Sequence, residues 1–116
     1  MTIERFEVAR RRSEMVLHDN HLYIGGQVAE NTTGDIEAQT REVLANIERL
    51  LLDVGSNRQR LLSVRILLAH REDYAGLNRV WDEFFPEGHA PTRACTLADL
   101  IDPRWRVEMI AVAARG

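Results

Sequence analysis

The sequence predicts an α+β layer, one mixed sheet with two helices on a single face. Residues 36–54 place apolar side chains at helical spacing, residues 61–68 are apolar at nearly every position, and the last quarter holds two more apolar runs of strand length. In order these read strand, strand, helix, strand, helix, strand, strand, and right-handed crossovers then put both helices on the same side. At 116 residues the chain is sized for one domain, 1–116, around one core.

From Met1 to Arg12 the chain is charged throughout and lacks the apolar core of a secretory signal. Arg10-Arg11-Arg12 reads as a solvated strand edge or turn. The segments Met15-Val16-Leu17 and Leu22-Tyr23-Ile24 flank Asp19-Asn20, good turn chemistry, and predict a β-hairpin. Gly25-Gly26 ends its second strand, either as an ordinary exit or as a bulge that lets a ligand or another backbone approach.

The first helix carries Ile36, Thr40, Val43, Leu44, Ile47, Leu50, Leu51 and Val54 on one side, with Asp35 as N-cap and Gly55 just past its end. Its other side, with Glu37, Arg41, Glu42, Glu48, Arg49 and Asp53, is solvated. Leu61 to Leu68 reads as a strand covered on both faces. A second helix from Asp73 presents Tyr74, Leu77, Val80, Trp81, Phe84 and Phe85 to the core and stops at Pro86-Glu87-Gly88. Strands over Thr92 to Leu97 and Trp105 to Ala113 follow, joined by a loop containing Asp102-Pro103. Two helices cover one face only, so the other face must be buried by a second subunit, which predicts a homo-oligomer.

Composition narrows the class. The chain is 45% hydrophobic and 28% charged, and no run of about 18 apolar residues is present to span a bilayer. A cytoplasmic location without membrane attachment is the expectation. The net charge of -3 argues against nucleic acid as a partner, because that binding rests on summed Lys and Arg contacts. Cys95 is the one cysteine, and His18, His21, His70 and His89 are scattered, so no metal is expected.

The last quarter is the most informative. Pro91-Thr92-Arg93-Ala94-Cys95 is followed thirteen residues after Cys95 by Glu108, within Arg106-Val107-Glu108-Met109-Ile110. Charged side chains on apolar strands are costly unless they meet a partner or a ligand. An Arg in that setting points to a carboxylate site.

These residues resemble the Rid family, the reactive intermediate deaminases also labelled YjgF or L-PSP endoribonuclease. The resemblance runs from about Ser13 to Ala113 on Tyr23-Ile24-Gly25-Gly26-Gln27, Gln39-Thr40, Asn46-Ile47, Leu77-Asn78-Arg79-Val80-Trp81, Pro91 to Cys95, and Val107-Glu108. It implies a chorismate-mutase-like (ferredoxin-like) fold assembled as a homotrimer, with ligand sites in the clefts between subunits. It further implies hydrolysis of reactive 2-imino or 2-enamino acids to 2-oxoacids and ammonia, with neither metal nor organic cofactor.

The family's carboxylate-gripping Arg falls on Arg93, whose planar fork suits that task; the alternative is an ion pair with a neighbouring carboxylate. Its acidic residue, which handles the attacking water, falls on Glu108; the alternative is a structural pair with Arg106. Cys95 falls on the Cys beside the ligand, where main-chain groups make the contacts. With no paired base in view, its side chain reads as small and apolar rather than nucleophilic. Gly26 falls where the strand backbone nears the ligand, and Asn78 matches a supporting helix Asn.

The chain departs from the family pattern twice. Gly-Pro-Tyr-Ser is replaced by Arg10-Arg11-Arg12-Ser13, and Ser-Gly-Gln by Gly25-Gly26-Gln27. Arg12 thus stands on the Tyr and Gly25 on the Ser, and the gained Arg points to a more anionic ligand, for example one with two carboxylates. The expected function is an enamine/imine deaminase. A non-catalytic binder of small carboxylic acids is the alternative, and an endoribonuclease ranks third.

Overall fold

The computed structural model describes residues 2–116. Its elements are β1 (Ile3–Val8), β2 (Ser13–His18), β3 (His21–Gln27), α1 (Ile36–Asp53), β4 (Leu61–Leu68), α2 (Tyr74–Phe84), β5 (Thr92–Leu97) and β6 (Val107–Ala114), with 3-10 turns at Arg58–Arg60 and Arg71–Asp73. The strands form one mixed sheet in the order β1-β2-β3-β6-β4-β5. β6 is antiparallel to both β3 and β4, so those two run parallel, with α1 between them in sequence. α2 makes the crossover from β4 to its parallel neighbour β5.

α1 forms where the spacing predicts, and its ends are chemically fixed. The Asp35 carboxylate accepts from the Ala38 N–H at 2.9 Å. At the other end Gly55 takes φ +82°, its N–H donates to the Leu52 carbonyl, and the Ser56 N–H donates to that of Leu51. Those two bonds cap the last turn in a way that favours glycine. Val43, Leu44, Ile47, Leu50 and Leu51 are buried, and they meet Leu77, Val80 and Trp81 of α2 and the inner side of the sheet in one core. Burying each such aliphatic side chain contributes about 1.5–3 kcal/mol.

The inner sheet face consists of Met15, Leu17, Leu22, Ile24, Val64, Ile66, Leu68, Val107, Met109, Ala111 and Ala113, all buried. On β4 this differs from the doubly covered strand that the sequence predicts. Leu61, Val64, Ile66 and Leu68 are buried, while Leu62 is 45% exposed and Arg65 is exposed. A register shift between Leu61 and Ser63 opposite β6 lets Leu61 and Val64, three residues apart, both face the core, with Leu62 left outward. The apolar character of the opposite face comes mainly from other strands. Val16, Tyr23 and Val112 lie in one cross-strand row, and Ile110 and Leu67 lie nearby. Among the described residues no element of the chain covers this second face.

Two further differences have simple causes. β1 escapes the sequence because only Phe6 is partly buried there, so an edge strand held by backbone pairing to β2 carries no apolar alternation to detect. Tyr74, assigned above to the core side of α2, is 45% exposed. It sits in the first turn of the helix, over β5.

Candidate functional site

The predicted site residues fall into two clusters. In the first, the pairing of β5 with β4 sets Arg93 opposite Val64 and Cys95 opposite Ile66. Paired residues share a face, so both side chains lie on the helix-covered side of the sheet. β5 is an edge strand, and both residues are half-buried. Nη2 of Arg93 donates to Asn78 Oδ1 at 2.7 Å and to the Tyr74 hydroxyl at 3.2 Å. The guanidinium carbon is 4.9 Å from the Trp81 ring centroid and 5.9 Å from that of Tyr74.

Neutral oxygens and aromatic faces therefore orient this cation, and no carboxylate among the described residues pairs with it. The ion-pair alternative for Arg93 is not formed within the chain. Burial pushes the Cys95 thiol above its ordinary range, opposed by the charge of Arg93. A thiol in that condition is protonated at neutral pH and is a poor nucleophile. An open cleft of about 290 Å³ adjoins it, lined by Leu68, Arg71, Tyr74, Cys95 and Leu97.

The second cluster is built on a bulge. Ile24 pairs with Ala111 and Gln27 with Met109, so β3 has one residue more than β6 there, and Gly25-Gly26 absorbs it. A Cβ on Gly25 would lie 3.0 Å from Nη2 of Arg12, and a Cβ on Gly26 would overlap the Glu108 carboxylate. Close approach of the Glu108 carboxylate, rather than backbone freedom, is what glycine accommodates at 26. Arg12 Nη2 donates to Glu14 Oε2 at 2.7 Å and to the Gly26 carbonyl at 3.0 Å. Gln27 Nε2 donates to the same Glu14 oxygen at 2.7 Å and to the Gly25 carbonyl at 3.1 Å. Glu14 is the hub that fixes this wall.

Glu108 pairs with Leu67 across β4 and β6 and belongs to the uncovered face, half-buried. It has no ion-pair partner among the described residues. Arg106 does not supply one: its Nη1 binds Asp73 Oδ2 at 2.8 Å, and its N–H donates to Gln39 Oε1 at 2.8 Å. Gln39, fully buried, also donates to the carbonyls of Gly34 and Arg104. It anchors the loop that leads into β6 and hence the position of Glu108.

Arg93, Cys95 and Asn78 thus stand together, and Gly26 lies between Glu108 and Arg12, which also lines a pocket with Asn46 and Arg49 of α1; Arg93 and Glu108 occupy opposite faces of the sheet. One chain does not bring Arg93 and Glu108 to a common ligand. Sequence reasoning passed over Glu14 and Gln27 as parts of the second wall, and Tyr74 and Trp81 as the cradle of Arg93. For Tyr74 a signal existed, since it lies one helical turn before Asn78 and shares its side of α2. No helix among the described residues is long and apolar enough to cross a membrane.

The sequence profile of the family described as Endoribonuclease L-PSP matches residues 2–115. A RutC family protein of Haemophilus influenzae is 43% identical over 114 residues, covering 97% of this chain and 98% of that protein. The 3-aminoacrylate deaminase RutC of Acinetobacter baylyi is 35% identical over 101 residues, covering 82% and 79%. Among solved structures, a Pseudomonas aeruginosa protein is 72% identical with a TM-score of 0.97, covering 99% of this chain and 100% of that one. A profile match across nearly the whole chain, together with full-length relatives, makes this protein a member of the endoribonuclease L-PSP family, also called the Rid or YjgF family.

Proposed function

We propose that the protein hydrolyses reactive 2-imino and 2-enamino acids to 2-oxoacids and ammonia, at a site completed by a second copy of the chain. The observation that carries this reading is Arg93, an oriented guanidinium at a cleft with no carboxylate partner of its own. Such a fork takes a ligand carboxylate bidentately and holds the adjacent C=N carbon in one position. Glu108 then removes a proton from water as the oxygen adds to that carbon, giving a carbinolamine. Glu108 delivers that proton to the nitrogen, then passes the carbinolamine's hydroxyl proton to the amine as the C–N bond breaks and the C=O bond forms, so ammonia leaves with a 2-oxoacid behind. An enamine enters the same route after protonation at carbon. The Acinetobacter relative is a 3-aminoacrylate deaminase, and its substrate is likewise an enamino acid, with the nitrogen on C3 rather than C2.

The uncovered face with Val16, Tyr23, Ile110 and Val112 is the surface that another copy would bury, and a closed trimer is the assembly we propose. Each site then takes Arg93, Cys95 and Asn78 from one subunit and Glu108, Gly26 and Arg12 from its neighbour. Subunit mixing tests both ideas. Arg93→Ala and Glu108→Gln variants, each inactive alone, should on mixing and reassembly recover about a quarter of wild-type activity, the chance that a random pair supplies both intact halves. The assay generates 2-iminoacids with an amino-acid oxidase and follows their loss. Wild-type protein that does not exceed the spontaneous rate, or an Arg93→Ala variant as active as wild type, rules the reading out.

A second reading, a carboxylate binder without turnover, is favoured by the separation of Glu108 from Arg93 within one chain. Calorimetric binding of 2-oxoacids with no imine hydrolysis would select it.

A further inference from the structure

We propose that Arg71 reads a second acidic group on the ligand and makes the Arg93 cleft selective for small dicarboxylic 2-imino and 2-oxo acids. The inference rests on the reading of Arg93 given above and extends it to substrate class. The cleft runs along the helix-side face of β5, where Arg93, Cys95 and Leu97 follow one another at alternate positions. Arg71, Tyr74, Cys95 and Leu97 line its wall, and Tyr74 also hydrogen-bonds Arg93. From Arg93 to Leu97 the strand spans about 13 Å, at roughly 3.3 Å per residue. Arg71 lines this cleft of about 290 Å³ directly and Arg93 adjoins it through the Tyr74 hydroxyl; the volume suits a metabolite rather than a large ligand.

Arg71 has no ion pair or side-chain hydrogen bond among the described residues. The neighbouring Asp73 is engaged by Arg106 at 2.8 Å. The backbone of Arg71 is nonetheless held, since it opens the 3-10 turn Arg71–Asp73 and its carbonyl accepts from the Tyr74 N–H. An exposed cation on a fixed backbone, without an ion-pair partner among the described residues, lining a cleft that Arg93 adjoins, suits a dianion.

Arg12, the other candidate for a second anion, is situated differently. Its charge is already opposed by Glu14 at 2.7 Å, which weakens its pull on any further carboxylate. The structure assigns Arg12 to bracing the Gly25-Gly26 wall, and the preference for a diacid to Arg71.

Titration calorimetry with pyruvate and 2-oxoglutarate on wild type, Arg71→Gln, Arg71→Lys and Arg12→Gln tests this. Arg71→Gln should weaken 2-oxoglutarate about tenfold, the effect of one solvent-accessible charged contact, with pyruvate changed less than twofold. Arg71→Lys should keep most of the preference. Arg71 is exposed and bonds to no side chain, so the fold is not at stake. The proposal is overturned if Arg71→Gln weakens both acids alike or neither, or if Arg12→Gln is the variant that removes the preference. Wild-type protein that binds neither acid would overturn the Arg93 carboxylate site itself, and this inference with it.

Discussion

The Arg93 cluster and the Glu108 cluster are held in opposite ways. Arg93 lies on an edge strand under α2, and neutral groups orient it, namely Asn78, the Tyr74 hydroxyl and the Trp81 ring. Glu108 lies on an interior strand, on the face that no helix covers, against a glycine bulge braced by Arg12, Glu14 and Gln27. Among the described residues, the packed side presents a cation without a carboxylate partner, and the open side an anion without a cationic one. On the function proposed above, recognition falls to the helix-backed half and proton handling to the open half, which a second copy would close. Charges kept apart in this way do not neutralise each other within the chain, which leaves both for a ligand.

Four substitutions test that division. The largest effect is expected for Arg93→Ala, which should lower kcat/KM on 2-iminoacids by about a hundredfold or more and abolish measurable 2-oxoacid binding, because the fork contributes in both ground and transition states. Glu108→Gln should reduce kcat by about a hundredfold while the dissociation constant for a 2-oxoacid moves less than about threefold. Equal losses of binding in these two variants would show that the halves do not divide the labour.

Gly26→Ala probes the bulge. Its Cβ would collide with the end of a flexible carboxylate, so Glu108 should swing aside, activity fall about tenfold, and the melting temperature drop by only about 4 °C or less. A collapse of stability with the collision relieved by the backbone instead would place the bulge in the fold rather than in the site. The smallest effect is expected at Cys95. Cys95→Ala should leave turnover within about twofold. Because burial holds the thiol above its ordinary range, alkylation should be slow at neutral pH and accelerate only as pH rises past the value of a free thiol. Rapid inactivation by iodoacetamide at pH 7 would contradict this.

The legible parts of the fold were those with strong local signals. α1 was readable to its capping residues, since Asp35 and Gly55 act on the adjoining turns. β5 and β6 were readable as strands from their apolar runs, and the carboxylate-site reading of Arg93 came from its residue type in such a run. β1 was not, because Ile3 to Val8 buries almost nothing. Nor was the course of β4, where a bulge at Leu62 shifts the alternation that the sequence alone would extend.

Apart from β1, the sequence set the element types, the class of fold and the family, because they follow from interactions between residues close along the chain or from matched residue types. It could not decide the face on which each site residue stands. Val107, Met109, Ala111 and Ala113 alternate with Ile110, Val112 and Ala114, so both sides of β6 are apolar and period two carries no direction. Only tertiary pairing decided it. Arg93 faces the helices because it registers with Val64, and Glu108 faces away because it registers with Leu67, contacts between residues 29 and 41 positions apart that no local pattern specifies.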